Sequence, residues 1–240
     1  METTKSSSIG SFVANDYRAA TVFQKYKIDF CCKGGRSINE VCESKNIDAD
    51  KLLKELTEVS SQPGEQTIDF KSWPIDLLAD YIEKKHHRYI EETVPSIQQF
   101  LDKLCKVHGS NHPELFEINK EFNASAGELA SHMKKEELIL FPYVRQMIKF
   151  ANSKEQLARP GFGTVENPIA AMMHEHDAEG ERFRKIAELS SNYTTPEDGC
   201  TTYRVAFAML KEFESDLHLH IHLENNILFP KAIEMEKTYS

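Results

Sequence analysis

Two stretches of the chain carry the same frame of chemically capable residues. Residues 132–142 read HMKKEELILFP and residues 220–230 read HIHLENNILFP, so His132, Glu136, Leu140, Phe141 and Pro142 match His220, Glu224, Leu228, Phe229 and Pro230. Helix positions four apart share a face, so each copy turns an imidazole and a carboxylate the same way. A single such pair is usually a solvated surface pair. Here the pair is repeated, and each copy runs into Leu and Phe that belong on a buried stripe, where ionisable groups are rarely left without partners. Two such helices facing each other bring two His and two Glu to one point, the start of a two-metal site.

Two further histidines complete the pattern. His87, His132, His176 and His220 follow one another at intervals of 45, 44 and 44 residues. Apolar periodicity predicts four long helices over roughly 74–107, 113–149, 168–190 and 200–236, separated by polar or glycine-bearing stretches. Each histidine falls near the middle of one segment. In an antiparallel four-helix bundle, the default for four helices with short or moderate connections, all four imidazoles meet at mid-height with Glu136 and Glu224. Pro74, Pro113 and Pro168 suit first helical positions, the last behind Asn167 as cap. Pro95, Pro142 and Pro230 are expected to kink their helices. His174, His218 and His222 stand two residues from a proposed ligand, about 200° round a helix, and should face the surface or a neighbouring helix. His86 adjoins His87, and this reasoning does not separate the two. His108 and His112 fall in a loop and are expected to be solvated.

Four imidazoles and two carboxylates without thiolate suit iron or manganese better than a structural zinc site, which is usually closed by four ligands and often uses cysteine. If both glutamates bridge, each metal has four protein donors. An oxo or hydroxo bridge makes five, leaving an octahedral ion one open position for chemistry or a small ligand. Glu128 and Asp216, each four residues before a paired histidine, and Glu175 beside His176 are candidates to orient ligands or line a polar access path. They read equally well as exposed helix acids.

Ahead of the bundle, residues 1–62 read as a small helical domain, joined by a linker over 63–73 to a bundle over 74–240. One helix is expected from Asn15 to Lys27, and Ser37 with Glu40 forms a capping box. A further helix carrying Leu52 and Leu56 is capped by Asp48 or Asp50. This unit has few large apolar residues and should lean on the bundle or on a second copy. Between its helices, Ile28 to Gly35 holds the adjacent thiols Cys31 and Cys32 on a glycine-rich turn beside Lys33. Lowered thiol pKa values there would favour metal or disulfide exchange, while the plainer alternative is a pair of small buried hydrophobes. Cys42, Cys105 and Cys200 have no companion at ligand spacing and are expected to be structural.

A net charge of -9 and a pI near 5.6 argue against a binder of nucleic acid backbones. No apolar run approaches the roughly 18 residues of a membrane span, and the start METTKSSSIG lacks a secretory apolar stretch. A cytoplasmic protein without membrane association is expected, and five cysteines fit reduced thiols there.

The His-x3-Glu frames resemble the hemerythrin-like family, and differ from the Glu-x2-His pattern of ferritin-like di-iron proteins. The segment IDFCCKGG resembles the N-terminal domain of the ScdA/YtfE type of iron-sulfur cluster repair proteins, which joins such a Cys-Cys domain to a hemerythrin-like bundle. The resemblance runs over nearly the whole chain. It selects His87 over His86 and implies His87, His132, Glu136, His176, His220 and Glu224 as ligands of two iron ions. Glu224 stands where oxygen carriers show another residue, which argues against reversible oxygen carriage. It further implies a cytoplasmic, often dimeric protein that repairs clusters in iron-sulfur proteins damaged by nitric oxide or peroxide, with Cys31 and Cys32 handling iron or electrons. Two other functions fit the same residues: a di-iron enzyme reducing nitric oxide or peroxide, and a binder or sensor of diatomic gases.

Overall fold

Proline lacks a backbone N–H and its ring crowds the carbonyl four residues back, so a helix running through Pro142 or Pro230 must open locally. In the computed structural model, which describes residues 4–61, 68–153 and 160–239, it opens in the turn just ahead of each proline. Glu136–Leu140 and Glu224–Leu228 are π-helical, and the N–H of Phe141 and of Phe229 reaches back five residues to the carbonyls of Glu136 and Glu224. A wider turn thus absorbs the proline where a kink was expected. Pro95 lies within an uninterrupted helix. A third π-helical stretch, Ile82–His87, has no proline behind it to account for it.

Four rods result. The first is α5 (Ile75–Tyr81) running through its π turn into α6 (Arg88–His108), and the second is α7 (Glu114–Lys135) running into α8 (Phe141–Ser153). The third is α9 (Glu166–Leu189), and the fourth is α10 (Thr201–Leu223) with α11 (Phe229–Tyr239). Helix α6 packs on α7 and α10, α7 on α9, and α8 on α5 and α11, an antiparallel bundle. The third rod starts at Glu166, so Asn167 is not its cap; its amide donates to the carbonyl of Phe162.

Among the described residues, four short helices precede the bundle: α1 (Ile9–Asn15), α2 (Ala19–Lys25), α3 (Ile38–Lys45) and α4 (Ala49–Ser61). The helix expected over Asn15–Lys27 is the shorter α2, which starts only at Ala19, while α1 precedes it and ends at Asn15. Asp16 breaks the run, because its carboxylate takes the N–H of Arg18 at 3.0 Å and pairs with that guanidinium at 2.7 Å. The Ser37/Glu40 capping box is present, and Asp48 caps α4 through the N–H groups of Asp50 and Lys51. Residues 63–67 of the expected linker lie outside the described residues. Its later part forms a 3-10 turn, Phe70–Ser72, with Phe70 buried against Trp73 and Tyr81. There is no strand among the described residues, and no helix among them is long and apolar enough to cross a membrane.

The apolar core is split in two. One cluster joins Ile9, Phe23, Phe30 and Leu52 of the front unit to Ile97, Phe122, Phe183 and Phe213 of the bundle. The other holds Leu78, Phe141, Met147 and Phe229. Along the rods the change of cluster falls between Ile82 and Ile90, Met133 and Leu140, Met172 and Phe183, and Ile221 and Leu223. Those intervals hold or adjoin the proposed ligands. The front unit leans on its own chain's bundle through shared apolar burial, the dominant favourable term in packing.

At the far end, the loop histidines are not solvated as expected. His108 Nε2 lies 3.3 Å from Cys200 Sγ, His112 pairs with Asp198 and Glu114, and both rings pack edgewise on Tyr203. Cys200 is exposed at the start of α10, where His108 first, and then the N–H of Tyr203, bring its thiol down to about 7. Iodoacetamide should alkylate Cys200 ahead of the other four thiols, with a rate midpoint near pH 7. His108→Ala should move that midpoint up toward the ordinary thiol value of about 8.5; peptide mapping of alkylation against pH reads both.

Candidate metal centre

Each rod delivers one buried imidazole to the layer between the two apolar clusters, and the two π turns deliver Glu136 and Glu224. All six residues are at most 3% exposed. They fall into two groups of donors, His87, Glu136, His220 and Glu224 on one side and His132, Glu136, His176 and Glu224 on the other. Both glutamates belong to both groups. His87 Nε2 and His132 Nε2 each stand 3.3 Å from Glu136 Oε2, while His220 Nε2 and His176 Nε2 stand 3.0 and 3.2 Å from the two oxygens of Glu224. Within the second group His132 Nε2 and His176 Nε2 are 3.1 Å apart.

These atoms are aimed at a cation. His87 Nε2, both oxygens of Glu136 and Glu224 Oε2 are buried without a hydrogen-bond partner, a condition that native interiors rarely tolerate. Burial and the nearby Glu224 push the Glu136 carboxyl up, but His132 and His87 outweigh them and hold it below its ordinary value. Burial opposes the charge of His132, yet Glu136 beside it wins and lifts the imidazole to about 10. A bound metal takes the place of such protons.

Three of the four outward ring nitrogens are held as metal-bound imidazoles usually are, by acceptors that fix the tautomer and leave Nε2 free, whereas His220 Nδ1 is buried without a hydrogen-bond partner. His87 Nδ1 donates to Glu137 at 3.0 Å, His132 Nδ1 to Glu175 at 2.8 Å and His176 Nδ1 to Asn225 Oδ1 at 2.9 Å. Glu137 and Asn225 were missed from the sequence. The signal was available, since each directly follows the paired glutamate at the same place in the two repeats.

Glu175 thus meets the ring of His132, a proposed ligand on another rod, rather than that of its neighbour His176. Glu128 is instead bound to Arg182 at 2.8 Å and lines a cleft of about 150 Å³ that reaches His132 and His176. Asp216 serves His86 at 3.0 Å rather than the paired His220. His86 is fully buried, stacks on the His220 ring at 5.5 Å, and belongs to neither donor group. Buried Glu179, also missed, takes a 2.5 Å hydrogen bond from Ser125 and adds a carboxylate to the cleft.

His174 is exposed, as expected. His218 and His222 face away from the centre, but toward the front unit rather than solvent. Phe30 lies about 6 Å from both rings, and Tyr17 stands 6.0 Å from His222. Burial holds them neutral, His218 near 4 and His222 near 3. His222 Nδ1 accepts from Asn226, whose amide also donates to the carbonyls of Phe30 and Cys31. The loop comes this close because Gly10 and Gly34 have no side chain: a Cβ on either would lie within 2.6 Å of Asn226 Oδ1.

That contact seats the thiols against the centre. Cys32 Sγ donates to the carbonyl of His176 at 3.2 Å, and Asn225, which accepts from His176, donates to the carbonyl of Cys31. Cys31 is buried, and its thiol is pushed well above the ordinary range by the bond to Cys32, by burial and by Asp29. A lowered value was expected for the pair, with Lys33 as a cause. The structure turns Lys33 to Glu181 instead, and places a carboxylate beside Cys31.

Comparison with known proteins agrees with this architecture. Residues 5–60 match the ScdA_N profile, described as a domain of unknown function (DUF542), and residues 78–232 match the hemerythrin HHE cation binding domain. The iron-sulfur cluster repair proteins YtfE of Yersinia pestis (strain Pestoides F) and Yersinia pseudotuberculosis (serotype O:1b, strain IP 31758) are each 32% identical over 233 residues, covering 97% of this chain and 99% of theirs. With both domains present in that order and a buried His/Glu cluster in the second, the chain belongs to the YtfE family of iron-sulfur cluster repair proteins, whose bundle is a hemerythrin-type cation-binding domain.

Proposed function

We propose that the bundle holds two iron ions, bridged by Glu136 and Glu224 and by an oxo or hydroxo group, and that the protein donates iron to iron-sulfur proteins whose clusters nitrosative or oxidative stress has damaged. The observation that carries this reading is the sharing of both glutamates between two buried His-Glu groups, which gives each ion two imidazoles and two carboxylate oxygens. When bound, the pair supplies redox-active iron with an open coordination position. His87, His132, His176 and His220 hold their ions as neutral donors, and Glu137, Glu175 and Asn225 fix the ring planes. Glu128, Glu175 and Glu179 line the cleft beside His132 and His176 together with Lys135, a polar route that suits a cation better than an apolar gas. The chain keeps five free cysteines, consistent with a cytoplasmic setting. A homodimer is implied by family resemblance alone, because the front unit finds its apolar partner within its own chain. Reduction of nitric oxide or peroxide, or diatomic-gas binding, is the competing use of the open position.

Metal analysis of protein from iron-replete cells should give two irons per chain. Glu136→Ala or Glu224→Ala should lose both, because each glutamate is shared. His222→Ala should keep both irons while losing roughly 2 kcal/mol of stability from its buried contacts with Tyr17, Phe30 and Asn226. Stoichiometric zinc, or a metal-free His222→Ala, would overturn the assignment.

Cys31→Ser with Cys32→Ser should retain the irons, yet restore a cluster-damaged dehydratase several-fold more slowly than wild type. Following regained dehydratase activity and iron movement together decides this. Full repair by the double variant would remove the thiols from the mechanism.

A further inference from the structure

A third group of donors lies outside the bundle centre. Cys31 Sγ stands 3.7 Å from Cys32 Sγ and 3.5 Å from Asp29 Oδ1, and the three donor atoms fall within 4.8 Å of one another. For a tetrahedral ion with bonds of roughly 2.3 Å to sulfur and 2.1 Å to oxygen, the sulfur–sulfur edge is about 3.8 Å and the sulfur–oxygen edge about 3.6 Å. The two edges that meet at Cys31 are therefore close to those of a metal bite.

The parts are held from several sides. Asp29 Oδ1 accepts the N–H of Cys32 at 2.9 Å and of Lys33 at 3.3 Å, and Arg184 anchors Oδ2 at 2.9 Å. Gly180 on α9 makes room for Cys32, since a Cβ there would lie 3.0 Å from its sulfur. Cys31 is buried, whereas Asp29 and Cys32 are only half-buried, so an ion can arrive from solvent. Three protein donors leave a fourth position free, as in open rather than structural sites.

We infer that Asp29, Cys31 and Cys32 bind a divalent cation of borderline softness in a site distinct from the bundle centre. That this ion is ferrous iron on its way to a target rests on the repair reading above. Binding replaces two thiol protons, released to solvent, with one divalent ion, and no electrons move. Two thiolates and a carboxylate favour iron or zinc over magnesium or calcium. The Cys32 sulfur lies against the His176 carbonyl, so the site adjoins the half of the centre onto which the acidic cleft opens.

The test uses the full chain with its bundle iron-loaded, kept anaerobic and reduced, and titrated with cobalt(II). One equivalent should produce thiolate-to-cobalt absorption in the near ultraviolet. Cys31→Ser and Cys32→Ser should each abolish it, and Asp29→Asn should weaken cobalt binding roughly tenfold or more. Cys42→Ser, Cys105→Ser and Cys200→Ser should leave it intact. Bundle iron content and far-ultraviolet circular dichroism, measured on every variant, show that the fold persists. Glu136→Ala should keep the cobalt–thiolate band while losing bundle iron, which separates this site from the centre. Absence of the band in wild type, its survival in Cys31→Ser with Cys32→Ser, or its loss in Cys200→Ser would overturn the proposal. A band that behaves as expected alongside unimpaired repair by the Cys31/Cys32 variant would uphold the site and refute its role in repair.

Discussion

Two carboxylates buried side by side are the constraint that the rest of the molecule serves. Glu136 and Glu224 are fully removed from solvent, where an uncompensated charge costs several kcal/mol and like charges repel. Four imidazoles surround them, but Glu136 and three of those rings still leave buried nitrogen or oxygen atoms without a hydrogen bond or share a single acceptor. Neutral packing cannot satisfy this layer, whereas divalent cations can, since each carboxylate oxygen and each Nε2 then has an electrophile. The layer also explains why the apolar core is divided, because no rod carries an unbroken hydrophobic stripe through the level of its ligand.

The long helices, the level of the ligands and the pairing of His with Glu were legible from spacing. Four histidines at near-equal intervals can share a level only in an up-down bundle, and the repeated frame marks its two glutamates. The π turns were not legible as such, although their cause was: Pro142 and Pro230 must be accommodated, and sequence alone does not choose between a kink and a widened turn. The choice matters for function, because the widened turns begin at Glu136 and Glu224 themselves. The residues that hold the imidazole rings were only half legible. Glu175 was found as a neighbour of His176, yet it serves His132 across the helix interface, and Asp216 serves His86. Spacing along one helix says which side chains share a face, but not which neighbouring helix supplies the partner.

The front unit escaped sequence reasoning for a related reason. His218 and His222 point away from the metal layer, and a face turned from the core reads as surface unless another element covers it. Phe30, Tyr17 and the Cys31 loop cover it, and both imidazoles become neutral packing groups. The thiol chemistry changed with the same contact. Lysine beside cysteine suggested an activated thiolate, but Lys33 is drawn to Glu181 and Asp29 takes the place beside Cys31. A carboxylate next to a buried thiol disfavours a free thiolate and favours a shared cation, so the loop is better suited to coordination than to nucleophilic attack.

These neighbours make the two halves of the centre unequal. The half formed by His87 and His220 is backed by buried His86, itself tied to Asp216 and packed edgewise on Tyr81. The half formed by His132 and His176 borders the acidic cleft, and its His176 is tied twice to the thiol loop, through its carbonyl to Cys32 and through Asn225 to Cys31. Any displacement of Cys31 or Cys32 that moves the Cys31 carbonyl also pulls on the acceptor that sets the plane of the His176 ring. Ligand orientation controls metal affinity, with loss of such a partner typically weakening binding 10- to 100-fold. The two halves thus differ in kind: the His132/His176 half meets the cleft and has a histidine whose setting depends on the thiol loop, whereas the His87/His220 half packs against His86.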